Sequence, residues 1–167
     1  MEIILVLNNI RSCYNVGAIL RTAEGFGLKK VILSGYTPRP HDPGLLPHLR
    51  EKLDKEIHKT ALGAEDLVKT ILVDDIKTEI VKYRTEGMTI VGLENNISGR
   101  VFKLNDSILK HKLGDKIILI LGEEVNGIDP ELYNLINCFI EIPMYGKKES
   151  FNVSVATGIA IYGIMNL

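Results

Sequence analysis

Residues 138–167 read CFIEIPMYGKKESFNVSVATGIAIYGIMNL, a strand, a loop and a helix in that order. The strand covers 138–142 and stops at Pro143, which has no N–H to give a sheet ladder. Gly146 and the Lys147-Lys148-Glu149 cluster mark a polar loop. Ser150 and Asn152 stand at the mouth of the helix, where either can accept bonds from free backbone amides. Residues 153–167 are apolar almost all round, broken only by small or hydroxylated residues such as Ser154, Thr157, Gly158 and Gly163. Such a run predicts a buried helix. Its polar N-terminus suits an anionic or acceptor-rich ligand.

The same unit recurs upstream. Strands are expected at 3–7, 30–34, 68–73, 88–93 and 116–121; the first is a continuous apolar run, as suits a strand covered on both faces, and the last is again apolar at its centre. Between them, helices are expected at 15–26, 49–58, 75–84 and 132–136, the last opened by Asp129-Pro130. Asn15 is the expected cap of the first and Asp74 or Asp75 of the third. Residues 36–47, with four prolines, read as loop, as do 59–65 and 95–102. One helical turn is expected near 105–109. Strands alternating with helices imply an α/β domain with a mostly parallel sheet and helices on both faces.

With 167 residues and 25% charged side chains, the chain has the size and balance of one soluble domain. No run reaches membrane-spanning length, and the first apolar run is too short for a signal peptide. A single cytoplasmic domain with no separate N-terminal domain is the expectation. Cys13 and Cys138 make no metal or redox spacing and read as reduced thiols, and the four histidines as surface residues. No metal is expected. Net charge is −1, but residues 1–60 carry nine Lys/Arg against six Asp/Glu, whereas 61–167 carry eleven against fifteen. A basic face from the N-terminal third, joined by Lys147 and Lys148, is one reading; an ordinary solvated surface is the other.

The dinucleotide fingerprint, the P-loop and the nucleophile elbow are all missing. Three polar clusters instead fall at strand ends or helix starts, where open α/β sheets bind ligands. They are 15–21, 122–127 and 150–152. Taken singly, Asn15 is a cap, Arg21 a surface charge and Glu124 a solvated acid; together they supply an amide, a guanidinium, a carboxylate and a glycine.

At these positions the chain resembles the SpoU (TrmH) family of RNA ribose methyltransferases in the SPOUT superfamily. NVGAILRTAEGFG at 15–27 is similar to the family's first motif, ILILGEEVNG at 118–127 to its second and IPMYGKKESFNVSVA at 142–156 to its third. KTALGAE at 59–65 resembles a segment of the branch that modifies tRNA or rRNA. The resemblance implies a deep trefoil knot within about residues 88–167, and a homodimer with the active site at its interface. It implies S-adenosylmethionine held around Leu93, Gly122, Ile142, Met144, Ser150, Phe151 and Asn152, with S-adenosylhomocysteine as product. Gly122 would let backbone approach the ligand, and main chain near Ile142 and Met144 would bond its adenine. Arg21, Asn15, Glu124, Ser150 and Asn152 match the family's catalytic positions, with Glu124 and Asn152 expected to hold Asn15 and Arg21. The activity implied is 2′-O-methylation of tRNA or rRNA; the alternative is a catalytically inactive knotted RNA-binding protein. A phosphate-binding module of the flavodoxin type has no early loop of suitable composition. Phosphate contacts are expected from Arg11, Arg21, Arg39, Arg50, Lys147 and Lys148.

Overall fold

A computed structural model describes all residues, 1–167. Its strands are β1 (Glu2–Asn8), β2 (Lys30–Ser34), β3 (Lys69–Val73), β4 (Thr89–Leu93), β5 (Val101–Lys103), β6 (Lys116–Leu121) and β7 (Cys138–Glu141). The helices are α1 (Cys13–Gly25), α2 (Pro47–Ala61), α3 (Ala64–Leu67), α4 (Ile76–Thr85), α5 (Leu109–Leu113) and α6 (Val153–Met165), with a 3-10 segment at Pro130–Leu135. Every strand pairing is parallel, in the order β3-β2-β1-β6-β4-β7-β5.

The period of two along each strand divides the core into two layers. On β1, Ile3, Leu5 and Leu7 face one layer, shared with Ile19 and Leu20 of α1, Ile57 of α2, and Ala160 and Ile161 of α6. Ile4 and Val6 face the other, shared with Ile80 of α4, Ile128 and Leu132. Central strands are therefore apolar throughout, which is why they read as continuous runs. Two late strands insert into the interior of the sheet: β6 lies between β1 and β4, and β7 between β4 and β5.

Several expectations change. Helix α1 starts at Cys13, capped by Ser12, whose hydroxyl accepts the Asn15 amide at 3.3 Å. The Asn15 side chain is thereby released from capping. Pro47 is the first residue of α2, where its missing N–H costs nothing, and α2 continues through 59–61 until Leu62 turns left-handed at φ 51°. The 59–65 segment is thus largely helical. It docks on α1 where Gly17 allows it: a Cβ there would collide with the Ile57 carbonyl and the Thr60 hydroxyl. Thr60 also donates to the Tyr14 carbonyl at 2.9 Å. Edge strand β5, at the end of the expected loop 95–102 and one residue past it, was not expected, and α5 begins at Leu109, the last residue of the expected turn at 105–109.

The last helix is not buried all round. Thr157, Ala160, Ile161 and Ile164 face the core, whereas Val155, Tyr162 and Met165 are exposed. Gly158 looks inward, its Cβ position 3.8 Å from Thr22 of α1, so it does not form the outer surface.

Candidate functional site

The chain reverses direction just past the C-terminal ends of β4, β6 and β7, and these three turns meet over one end of the sheet. Between them lies a cleft of about 370 Å³. Six of the seven expected cofactor residues line it: Leu93, Gly122, Ile142, Ser150, Phe151 and Asn152. Met144 does not, because the chain leaves the cleft after Ile142 and returns at Ser150.

Two neighbouring side chains, Glu94 and Asn95, knit the turns together. Glu94 accepts the Ile128 amide at 2.9 Å and the Asn95 amide at 3.0 Å. Asn95 accepts the Ile142 amide at 3.3 Å and donates to the Glu149 carbonyl at 3.0 Å. Sequence reading missed both. The available signal was a polar pair directly after an apolar strand, where α/β sheets place their sites.

The turn after β6 is closed by reciprocal backbone bonds between Glu123 and Gly127, each 2.9 Å. It is so tight that a Cβ at Gly122 would collide with the backbone of Gly127 and Ile128. The glycine is therefore needed by the turn itself. Gly122 also lines the cleft.

Beside the cleft mouth three side chains form a connected chain. Asn15 donates from Nδ2 to Glu124 Oε1 at 2.8 Å, and Asn152 donates from Nδ2 to Asn15 Oδ1 at 3.1 Å. Asn152 Oδ1 accepts the Ser154 amide and hydroxyl at 2.9 and 2.6 Å, so it also caps α6. Glu124 further accepts the backbone amides of Arg11 and Ser12 at 3.2 and 3.3 Å. Burial opposes ionisation of Glu124, but the bonds from Asn15 and from backbone amides outweigh it and hold the carboxyl below its usual range. A charged, fully engaged carboxylate thus fixes the Asn15 amide in one orientation.

Arg21 does not join this chain. It is exposed on α1 and makes no hydrogen bond or ion pair within the molecule. Six residues of helix separate it from Asn15, a rise of ~9 Å. Ser150 is exposed beside the cleft.

Of the expected phosphate contacts, Lys147 and Lys148 are exposed in the loop before Ser150, and Arg50 is half-buried on α2. Arg39 is half-buried, its Nε buried without a partner. The Arg11 guanidinium lies 3.0 Å from Glu123 and 5.5 Å from the ring centroid of Tyr36. Two histidines fasten surface structure: His41 meets Asp66 at 2.9 Å and His58 meets the buried Glu65 at 2.6 Å. Both cysteines are free, and burial pushes both thiols up, away from reactivity. No helix is long and apolar enough to cross a membrane.

A family profile described as the SpoU rRNA Methylase family matches residues 2–162. Over 160 residues the chain is 27% identical to a 23S rRNA (guanosine-2′-O-)-methyltransferase RlmB of Pseudomonas putida, covering 96% of this chain and 57% of that protein. It is 35% identical to an uncharacterized tRNA/rRNA methyltransferase of Borreliella burgdorferi, covering 96% of this chain and 62% of that one. The chain thus spans about three fifths of the curated relatives it matches. The crystal structure of an AdoMet-bound rRNA methyltransferase from Sinorhizobium meliloti superposes with a TM-score of 0.77 at 20% identity, over 99% of this chain and 56% of that one.

Proposed function

The chain belongs to the SpoU rRNA Methylase family, and we propose that it transfers a methyl group from S-adenosylmethionine to a ribose 2′-hydroxyl of tRNA or rRNA, in the cytoplasm. The observation that carries this reading is the Asn15–Glu124–Asn152 chain. It joins the three matched motifs at the mouth of one cleft.

The cleft suits the cofactor. Its volume lies within the range of small-molecule sites, and its walls mix apolar side chains with backbone polar groups. Glu94, Glu123 and Glu124 line it, a field favourable to a sulfonium cation. When bound, S-adenosylmethionine supplies the electrophilic methyl. The protein holds the 2′-oxygen in line and stabilises the charge it develops. Asn15 is oriented for this by Glu124 and Asn152. Met144 is left outside the cofactor contacts.

Arg21 is assigned to the RNA phosphate and the developing alkoxide. A guanidinium gives up its proton only far above neutrality, and its planar fork matches a phosphate. Its isolation within one chain supports a homodimer in which a second copy brings it to the reacting ribose, at the cleft that Ser150 lines. The exposed apolar side of α6, with Val155, Tyr162 and Met165, is the surface we assign to that contact. The insertion of β6 and β7 into the sheet interior supports a knot in residues 88–167. Arg11, Arg50, Lys147 and Lys148 complete the assigned RNA face.

The test is methyl transfer from labelled S-adenosylmethionine to tRNA and rRNA, followed by alkaline hydrolysis. A 2′-O-methyl group leaves an alkali-resistant dinucleotide carrying label, and Asn15→Ala should abolish it. Cofactor binding without transfer to any RNA of the native host would overturn the reading in favour of an inactive RNA-binding protein.

A further inference from the structure

Four cation–aromatic pairs occur in the chain. Two share Tyr83, which is only 6% exposed and belongs to the core. The other two use half-exposed rings next to the Asn15–Glu124–Asn152 chain. Tyr14 immediately precedes Asn15, and Lys59 sits 5.6 Å above its ring. Tyr36 pairs with Arg11, whose own amide binds Glu124.

The Tyr36 ring is held on a braced turn. Asn9 takes a left-handed conformation at φ 61° and accepts the Tyr36 amide at 3.4 Å. Gly35, also at φ 61°, leaves room for the Asn9 side chain, which a Cβ would strike. Thr37 is buried, accepting the Ile10 amide at 3.1 Å and donating to the Leu7 carbonyl at 3.0 Å. Backbone on both sides of Tyr36 is thus tied to the end of β1, yet the residue is 51% exposed. The Arg11 guanidinium also lies 3.0 Å from Glu123. A flat apolar surface is thus linked, through Arg11, to a carboxylate of the cleft.

We propose that Tyr36, braced by Arg11, is a stacking platform for an unpaired base of the RNA, adjoining the nucleotide whose ribose is methylated. The proposal rests on the RNA-methylation reading and adds to it a substrate class: a loop or single strand. Every base has a π-face, so stacking tolerates any sequence, but a base inside a duplex cannot offer its face. Arg11 adds attraction for the backbone phosphate beside that base.

The experiment uses the full chain with single-stranded RNA carrying 2-aminopurine, and with duplex RNA of equal length. Wild type and Tyr36→Phe should quench the fluorophore and prefer the single strand. Tyr36→Leu should lose the quench and bind the single strand roughly ten- to hundredfold more weakly, with S-adenosylmethionine affinity unchanged. A second readout needs no variant: irradiation of wild type with 5-iodouridine RNA should cross-link Tyr36, located by mass spectrometry. If wild type binds and methylates RNA while Tyr36→Leu keeps both quench and affinity, or the cross-link maps elsewhere, the platform is overturned and the methylation reading stands. If wild type neither binds nor methylates RNA, both fall.

Discussion

The carboxylate of Glu94 accepts the backbone amide of Ile128 at 2.9 Å, across 34 residues of sequence. One oxygen of one side chain thereby fixes the turn after β6 to the end of β4, beneath the cleft. Gly127, left-handed at φ 70°, has no room for a Cβ because the same carboxylate fills the space.

Loss of that carboxylate should loosen the whole cleft. Glu94→Ala leaves the Ile128 and Asn95 amides without their acceptor. A hydrogen bond to a charged group contributes about 1.5–3 kcal/mol, and a stability loss in that range is expected. Glu94→Gln keeps an acceptor and should lose less. Thermal unfolding gives the stability, and calorimetric titration should show weaker S-adenosylmethionine binding in the order wild type, Gln, Ala.

Gly122 offers a sharper case. Even Gly122→Ala drives a Cβ into main chain that the Glu123–Gly127 bonds hold in place. Overpacking of this kind costs about 1–3 kcal/mol where side chains can yield, and more where backbone must move. Lower melting temperature and lost cofactor binding should appear together. A variant as stable as wild type that merely fails to bind cofactor would contradict the geometry.

The pH behaviour follows from Glu124. Its folded carboxyl titrates below its unfolded value, near ~4.3. It therefore adds stability above that value and loses it as pH falls through the folded one. Glu124→Gln should be less stable than wild type at neutral pH. The gap should narrow as pH falls below the unfolded value and close once pH is under the folded one, measured by denaturant unfolding across pH.

The exposed Arg21 side chain makes no hydrogen bond or ion pair in its own chain, so Arg21→Lys should change stability by no more than about 0.5 kcal/mol. It keeps the charge and loses the fork. Methyl transfer should fall steeply with cofactor affinity intact. A basic limb of the pH–rate profile that disappears only in this variant, with RNA affinity unchanged, would make Arg21 a base instead of a clamp.

The exposed side of α6 predicts association. Sedimentation at micromolar concentration should show a dimer, and Tyr162→Arg should yield monomer. Tyr162 is exposed in one chain, so its replacement should leave the fold intact.

The layers of this molecule were legible because its central strands are buried on both faces, which leaves them as short apolar runs bounded by turn residues. β5 was hidden for the opposite reason: three half-exposed residues at a sheet edge, placed by pairing with β7 nearly forty residues later. The cap of α1 was misread because Ser12 and Asn15 can both serve; Glu124, far along the chain, draws the Asn15 side chain away. Asn15, Glu124 and Asn152 were legible through motif resemblance, and the structure joins them. Arg21 lies apart. Glu94 and Asn95 belong to no quoted motif, and their partners are backbone atoms, which sequence does not mark.

Asn152 and Asn15 bond across 137 residues, and Glu124 reaches Asn15 across 109. Contacts so distant form late, because loop closure must be met before they contribute. Synthesis runs from the N-terminus, so a growing chain on the ribosome holds Asn15 first, then Glu124, and Asn152 last of the three. α6 follows immediately, and its Thr157 and Ile161 fill positions that are 0% exposed. A polypeptide that stops before Asn152 is thus left with an open core and an incomplete Asn15–Glu124–Asn152 chain. Order of synthesis sets order of assembly: closing this core and completing that chain are one late event.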